Sequence, residues 1–390
     1  AFDNDDVYDA AFRRAGMLRV MGVDQLFDAV ETLARMQPIR GDRLAILSNG
    51  AGPGLLAADA LVEGGGRLAK LTGECEENLC RVFATPWRGH NPIAVDYDAP
   101  AETYGQALEL LLQEKETDAA LILRAPTLGS AVTAENGESQ AVAAAKAVIA
   151  ASRKYRKPVL VNWLGANEAA EARKLFAEAG APSYETPDKA IRAFLHMADF
   201  RKSQELLMQT PASLPTDFQP DLARARAVLE EVRAEGRLVL SEPESMEVLA
   251  AYSIPTATVR FCETPELVPL VASEMGLPVA VKIVSDEIAS KSEVGGVALD
   301  LEDRNEVIDA YQAILRNARA YKADAKIEGV EVTEMVAKGM ETIIGARRDR
   351  TFGPMIMFGL GGIYVEVMKD VAFRALPVNR KEILAMVKEI

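Results

Sequence analysis

Residues 44–54 read Leu44-Ala-Ile-Leu-Ser-Asn-Gly-Ala-Gly-Pro-Gly54, an apolar run that leads into a glycine-rich turn. A stretch with helical spacing, Leu55–Glu63, follows directly, so the segment predicts a strand, a tight turn and a helix. Similar short apolar runs alternate with helical stretches as far as about Met208. This alternation is typical of βαβ units around a parallel sheet.

We expect five such units and a flavodoxin-like, doubly wound α/β fold for this part of the chain. The predicted strands are Leu44–Ser48, Leu68–Leu71, Ala119–Arg124, Pro158–Asn162 and Ser183–Tyr184. The predicted helices are Leu55–Glu63, Glu74–Phe83, Gln140–Arg153, Glu168–Ala179 and Pro187–Met208. Two further helices upstream, within residues 1–40, are too short to make a domain and are expected to complete a preceding one.

A proline-rich stretch at residues 210–221 predicts a linker, since three prolines stand in eleven residues without helical spacing. Beyond it, strands adjoin one another as often as they alternate with helices, which predicts an α+β domain with antiparallel pairing over residues 222–390. We therefore expect residues 1–40 to be the C-terminal end of a preceding domain and residues 41–209 to form a flavodoxin-like domain. The linker and the α+β domain follow.

Composition narrows the function classes. A chain of 390 residues is longer than one hydrophobic core usually organises, so two or three domains are expected. Its net charge of −14 argues against a surface that binds nucleic acid. The three cysteines have no zinc-ligand pattern, and no apolar run reaches the roughly 18 residues of a membrane span. We expect a cytoplasmic protein. The first residues contain neither a starting Met nor the pattern of a signal peptide, and apolar residues with helical spacing begin almost at once. We therefore expect the sequence to be a piece of a longer chain.

The glycine turn contains Asn49, Gly50, Gly52 and Gly54 between a strand and a helix. Free amides and the positive helix end meet there, which is an arrangement that can hold a phosphate. A dinucleotide motif is excluded because Leu55 stands where its third glycine belongs. Taken alone, however, a glycine-rich turn between a strand and a helix is more often a tight connection than a ligand site.

Lys282 interrupts the apolar strand of Pro278–Val284, and the loop Lys291-Ser292-Glu-Val-Gly295-Gly296 follows nine residues later. A charge in a buried strand needs a partner, and an anionic ligand would provide one. Lysine would then bind phosphate as a point charge while the loop amides cover it. Alternatively, Lys282 lies at an edge and extends its ammonium group into water.

Acidic and basic residues recur among the later strands and glycines. This combination suits a nucleoside triphosphate site, because cations bind phosphates while carboxylates bind magnesium or a ribose hydroxyl. Surface salt bridges could explain any one of them. The candidates are Glu331, Glu334, Glu341, Arg348, Glu366, Lys369 and Arg374.

The sequence of residues Val279–Val297 and Phe352–Pro377 closely resembles that of the nucleoside-diphosphate-forming (ADP-forming) acyl-CoA synthetases. This family is related to succinyl-CoA synthetase. Asp6–Gly16 resembles the end of that family's first flavodoxin-like ligase domain. Residues 43 to about 208 resemble the second ligase domain, and residues from about 222 resemble its ATP-grasp domain, here without its C-terminal end.

The resemblance implies that ATP, a carboxylate and CoA form acyl-CoA, ADP and phosphate through an acyl phosphate and a phosphohistidine. It implies ATP or ADP, Mg²⁺ and CoA as ligands, and a homo-oligomer. The glycine turn would face the phosphohistidine. The candidates above would bind ATP, with residues 331–336, including Val336, as the adenine hinge. The family's histidine and CoA-binding domain are expected upstream of these residues, since neither His90 nor His196 matches that histidine.

A second resemblance remains open. Bacterial protein lysine acetyltransferases of the GNAT type carry a similar synthetase-like region that is catalytically inactive and regulatory. Leu26–Arg43 and the run from Asn162 to Gly165 resemble that branch. The run from Gly362 to Arg374 better resembles the active synthetases. An upstream catalytic histidine or a downstream acetyltransferase domain would separate the two.

Overall fold

The computed structural model describes residues 4–83, 89–126, 138–165, 168–209, 218–285, 287–288, 290–362 and 370–390. The chain divides into two compact units. The larger unit consists of Ala1–Pro211 and Thr342–Ile390, and the smaller unit consists of Ala212–Glu341. Most of the predicted linker, residues 210–217, lies outside the described residues.

A parallel sheet organises the first part of the larger unit. Its strands are β1 (Arg43–Asn49), β2 (Arg67–Leu68), β3 (Ile93–Val95), β4 (Ala119–Arg124), β5 (Val159–Trp163) and β6 (Ser183–Tyr184). They follow the order β2-β1-β4-β5-β6, and β3 also pairs with β1. The sheet and its helices confirm the predicted α/β fold.

One side chain completes the edge of β1 between β2 and β3. β2 pairs with the start of β1 and β3 with its end, which leaves a gap near Ile46. The Asn91 side chain fills the gap: its Oδ1 accepts from the Ile46 amide at 3.0 Å, and its Nδ2 donates to the Leu44 carbonyl at 2.8 Å. The same Nδ2 lies 3.0 Å from the Ala69 carbonyl oxygen. An amide side chain therefore replaces a strand partner here.

Helices cover both faces of this sheet because nearly every residue of its central strands is buried. Leu47, Ile122 and Trp163 belong to the core on one face, while Ile46 and Leu121 belong to the core on the other. The helices within residues 4–209 are α1 (Asn4–Arg14), which does not pack on this sheet, and α2 (Val23–Arg35), α3 (Ala51–Glu63), α4 (Gly73–Val82), α5 (Ala101–Gln113), α6 (Gln140–Ser152), α7 (Glu168–Glu178) and α8 (Pro187–Met208). Neither β3 nor α5 was among the predicted elements.

The smaller unit has one antiparallel sheet. Its elements are α9 (Leu222–Ala234), α10 (Glu242–Ala251), β7 (Val259–Cys262), α11 (Leu267–Met275), β8 (Val279–Val284), β9 (Val297–Leu301), α12 (Arg304–Tyr321) and β10 (Gly329–Glu334). The sheet order is β7-β10-β8-β9, with antiparallel neighbours throughout. Val281, Ile283 and Val332 form its core together with the buried sides of α11 and α12. The predicted α+β character is confirmed.

The last elements belong to the larger unit. They are β11 (Thr342–Asp349), β12 (Gly353–Leu360), β13 (Val371–Ala375) and α13 (Arg380–Lys388). The strands form a second antiparallel sheet, and Met355 and Phe373 share a small core with Val7 and Ala10 of α1. Thr342–Ile390, predicted as part of the 222–390 domain, therefore groups with the larger unit. No helix in the described part of the chain is long and apolar enough to cross a membrane.

Candidate functional site

Four charged side chains of the smaller unit meet in what we call the lysine–glutamate cluster: Glu242, Lys282, Lys291 and Glu331. Lys282 Nζ donates to Glu242 Oε1 at 2.9 Å. Lys291 Nζ lies 3.6 Å from Glu242 Oε2 and 3.7 Å from Glu331 Oε2. The structure thus brings together the two lysines that the sequence predicted as phosphate ligands.

Strand pairing brings Lys282 and Glu331 of this cluster together. Lys282 of β8 stands directly opposite Glu331 of β10 in the antiparallel register. Its neighbours Val281 and Ile283 are fully buried in the core, so the strand is fixed on both sides of the lysine. About a quarter of the Lys282 side chain remains exposed, at 26%. The sequence alternative of a lysine reaching only into water is therefore wrong, because Glu242 binds its ammonium group.

The loop after β8 delivers Lys291. The Gly296 amide donates to the Lys291 carbonyl at 2.7 Å, and the Ile283 amide donates to the Gly296 carbonyl at 2.8 Å. A Cβ atom on Gly296 would come within 2.7 Å of the Ile283 side chain and 2.9 Å of the Lys291 carbonyl oxygen. Gly295 has a φ of +68°, a left-handed conformation that glycine adopts without strain. The glycines thus close a tight loop that holds Lys291 beside β8.

Glu242 comes from the first turn of α10, and the start of this helix is fixed by a capping box. The Ser241 hydroxyl accepts from the Glu244 amide at 3.4 Å, and the Glu244 carboxylate accepts from the Ser241 amide at 2.7 Å. Arg237 Nη1 also donates to Glu244 Oε2 at 3.0 Å. Glu242 was not among the residues predicted from the sequence, although the pattern Ser241-Glu-Pro-Glu244 indicates this helix start.

The two carboxylates differ in their electrostatics. Burial of Glu331, whose residue is only 2% exposed, together with the negative charge of Glu242, raises the pKa of Glu331. Burial also acts to raise the pKa of Glu242, but the hydrogen bond and charge of Lys282 outweigh it and the pKa is lowered. Oε2 of Glu331 accepts no hydrogen bond from the described residues. A buried carboxylate oxygen therefore points into the cluster beside Lys291.

The remaining candidates of the smaller unit have varied surroundings. Glu334 ends β10, and its Oε2 accepts from the Thr258 amide at 3.0 Å, which lowers the pKa of Glu334. Val336 is largely exposed, and Ser292 and Glu341 are also at the surface.

The candidates after residue 341 belong to the larger unit. Arg348 is exposed on β11. Arg374 on β13 is buried; it forms an ion pair with Glu389 and donates to the Phe373 carbonyl at 2.8 Å. Glu366 and Lys369 lie outside the described residues.

The glycine turn of the larger unit connects β1 to α3 as predicted. Asn49 is completely buried; its Nδ2 donates to the Ala125 carbonyl at 2.8 Å, and its Oδ1 accepts from the Ala125 amide at 2.6 Å. Its side chain thus joins the ends of β1 and β4. Gly50 is the N-cap of α3 with a φ of +88°, and a Cβ there would lie 2.3 Å from the Tyr97 ring. Gly52 has no atom within 4 Å of such a Cβ, whereas Gly54 packs beside Pro92.

No side chain of the described residues caps the first turn of α3, which lies at the end of β1. The histidines lie elsewhere. His196 is buried in α8, and burial lowers its pKa, as expected for a structural residue. His90 is exposed in a surface hollow that Glu76 and Cys80 also line. Within the described ranges, no three His, Cys, Asp or Glu side chains converge as a metal site.

Comparisons with known proteins agree in pointing to one family. A family profile described as an ATP-grasp domain matches residues 231–390. The chain is 43% identical over 169 residues to subunit beta of an acetate–CoA ligase [ADP-forming] I from Pyrococcus furiosus, which covers 43% of this chain and 72% of that subunit. It is 32% identical over 389 residues to a 4-hydroxybutyrate–CoA ligase [ADP-forming] from Nitrosopumilus maritimus, covering 99% of this chain and 53% of that protein.

A solved structure is also similar. It is a Ca. Korarchaeum cryptofilum dinucleotide forming acetyl-coenzyme A synthetase 1 in complex with coenzyme A, Ca-AMPCP and HgCl+. The identity is 39%, the TM-score is 0.41, and the match covers 42% of this chain and 72% of that chain. The chain spans about half the length of the first curated relatives it matches.

Proposed function

This chain belongs to the ADP-forming acyl-CoA synthetase family, and we propose that it is the nucleotide-handling part of such an enzyme. The proposed reaction of the whole protein converts ATP, a small carboxylate and CoA into acyl-CoA, ADP and phosphate. An acyl phosphate and a phosphohistidine are the proposed intermediates. We assign the phosphorylated histidine to neither His90 nor His196, since one is exposed beside Cys80 and the other is buried in α8.

The observation that carries the proposal is the convergence of Lys282 and Lys291 within the region that matches the ATP-grasp profile. Both ammonium groups lie within 4 Å of one carboxylate, Glu242. A phosphate group presents oxygens with similar spacing and more negative charge, so the two lysines can bind it as point charges. Mg²⁺ would accompany the nucleotide and reduce the repulsion between its phosphates.

The loop closed by Gly295 and Gly296 is proposed to cover the phosphate with backbone amides, and Ser292 to add a hydroxyl. This proposal is supported by the hydrogen bonds that hold the loop beside β8. The nucleotide-binding roles predicted for the other candidates remain proposals that rest on the family resemblance: Glu331, Glu334, Val336, Glu341, Arg348, Glu366, Lys369 and Arg374.

A second proposed subsite is the glycine turn. We propose that the first turn of α3 receives the phosphoryl group of the phosphohistidine, since a helix N-terminus stabilises negative charge. Gly50, Gly52 and Gly54 fit this role through backbone geometry, whereas the Asn49 side chain is already engaged with Ala125. The proposed domains remain 41–209 for the ligase fold and 222–390 for the ATP-grasp domain. CoA and a homo-oligomeric assembly are proposed on the resemblance alone, and a cytoplasmic location is proposed from the cysteine usage of the chain.

Calorimetric titration of the full-length protein with Mg²⁺ and ADP tests the lysine assignment. Lys282→Ala and Lys291→Ala should each weaken binding by about 1.5–3 kcal/mol, the range for a charge-assisted hydrogen bond, or about 10- to 150-fold. Lys326→Ala is the matched control, because the Lys326 side chain is exposed in the same unit and forms a surface ion pair with Glu328 at 3.7 Å. Unchanged affinity in both cluster variants would refute the assignment.

The proposed reaction is tested by incubating the full-length protein with gamma-labelled ATP and Mg²⁺. A phosphoryl group that is acid-labile and base-stable, and that CoA with a short carboxylate discharges, is the expected result. Nucleotide binding without labelling would instead favour the regulatory role of a synthetase-like region.

A further inference from the structure

Glu242 contacts both lysines of the lysine–glutamate cluster. Each of its carboxylate oxygens faces a different ammonium group, Oε1 that of Lys282 at 2.9 Å and Oε2 that of Lys291 at 3.6 Å. A bridging carboxylate of this kind satisfies two cations at once, as two oxygens of a phosphate group would. Glu242 therefore competes for the same donors.

We propose that Glu242 is an internal substitute for a nucleotide phosphate. Its carboxylate holds the two lysines in position until a nucleotide displaces it, and this competition sets the affinity of the protein for the nucleotide. This inference rests on the proposed nucleotide function of the lysine–glutamate cluster. It adds a residue that neither the lysine pattern nor the glycine loop indicated.

The two carboxylates of the cluster have different freedom to move. The Glu331 side chain is only 3% exposed and is fixed in the middle of β10, between β7 and β8. The Glu242 side chain is 27% exposed and projects from the first turn of α10. A rotamer change can carry Glu242 into water, where its charge is solvated, whereas Glu331 would have to leave the sheet. Glu242 is therefore the carboxylate that can give way.

Charge counting explains why displacement favours an anion. Two lysines and two carboxylates sum to zero while Glu242 is in place. Once Glu242 turns away, the lysines face only Glu331, which leaves one net positive charge for an incoming phosphate. The buried oxygen of Glu331 keeps Lys291 in position at 3.7 Å during the exchange. The cluster is thus neutral while Glu242 contacts the lysines and carries one net positive charge once Glu242 has turned away.

The capping box keeps the backbone of α10 in place while the side chain of Glu242 exchanges. Ser241 and Glu244 hold the helix start through hydrogen bonds in which Glu242 takes no part. Substituting the Glu242 side chain should consequently leave the helix end intact.

Titration of the full-length protein with Mg²⁺ and ADP distinguishes this role from that of a purely structural ion pair. Glu242→Gln keeps the shape and removes the charge, and the Kd for ADP should fall about tenfold, the scale of one charge-assisted hydrogen bond no longer broken on binding. Glu247→Gln is the matched control on the same helix, since Glu247 pairs with Arg224 and should leave the Kd unchanged.

Each outcome bears on the inference. If Glu242→Gln leaves the affinity equal or weaker while Lys282→Ala still weakens it, the inference is overturned and the nucleotide function stands. If wild type and all variants bind no nucleotide, both are overturned. Should Glu242→Gln fail to fold, Glu242→Asp replaces it, because the shorter side chain no longer bridges both lysines. The Kd for ADP should then fall about threefold, which corresponds to part of the free energy of one charge-assisted hydrogen bond. An unchanged Kd would contradict the inference.

Discussion

Replacing Asn49 with alanine should destabilise the larger unit substantially, because this side chain joins the ends of β1 and β4. It is completely buried and makes two hydrogen bonds to Ala125, at 2.8 and 2.6 Å. Truncation removes both bonds and leaves one donor and one acceptor of the Ala125 backbone without their partner. Since each such loss costs about 1–3 kcal/mol and water reaches half-buried Ala125 in part, we expect a total loss of about 2–4 kcal/mol.

Urea unfolding followed by tryptophan fluorescence measures this loss. Trp163 is fully buried in the core of the larger unit, so the change in its emission reports on the unfolding of that unit. Asn78→Ala is the control, because Asn78 accepts a hydrogen bond from the exposed Arg81 side chain and its loss should cost little. A loss below about 0.5 kcal/mol in Asn49→Ala, less than one ordinary hydrogen bond, would refute the reasoning. Such a small loss would also mean that Asn49 is again a candidate for binding a ligand.

Two further predictions concern the same unit. Gly50→Ala should lower the free energy of unfolding by about 1–3 kcal/mol, because alanine is strained at a φ of +88° and its Cβ would collide with Tyr97; Gly52→Ala, with open space and a helical position, should be neutral or slightly stabilising in the same urea titration. Although burial acts to raise the pKa of Asp118, its hydrogen bonds from Arg43 at 2.7 and 3.0 Å lower it. The stability this pair contributes is therefore present above the unfolded pKa of about 3.9 and lost as the pH falls through the lower folded value. Melting curves between pH 6 and pH 2 should show a flatter acid decline in Asp118→Asn than in wild type, and exposed Asp59→Asn should not differ from wild type; equal slopes in all three would contradict the assignment.

The sequence predicted the central strands well because they are buried on both faces. Residues 44–47 and 119–123 form continuous apolar runs, and a run of this kind bounded by a turn is typical of a parallel strand. β3 escaped because three residues are too few to show a pattern. α5 was missed although Tyr104, Leu108 and Leu111 have helical spacing, since without β3 the stretch had no strand to follow.

The site was predictable only where the chemistry is local. The lysine in an apolar strand and the glycine loop after it are visible in one short segment. Glu242 is 40 residues from Lys282, and an acidic residue in the first turn of a helix is so common that it gives no signal of its own. Likewise, the partner of Asn49 is a backbone group 76 residues away, so only the folded chain distinguishes its structural contacts from a ligand-facing position.

The Asn91 side chain at the edge of β1 has a consequence for hydrogen exchange. Amides in the centre of a buried sheet normally exchange with solvent deuterium only when the whole unit opens. The Ile46 amide is bonded to a side-chain oxygen rather than to a neighbouring strand. Its protection therefore depends on one rotamer of one residue, and the deuterium uptake of this single amide reports how firmly the Asn91 side chain stays bound at the edge of β1.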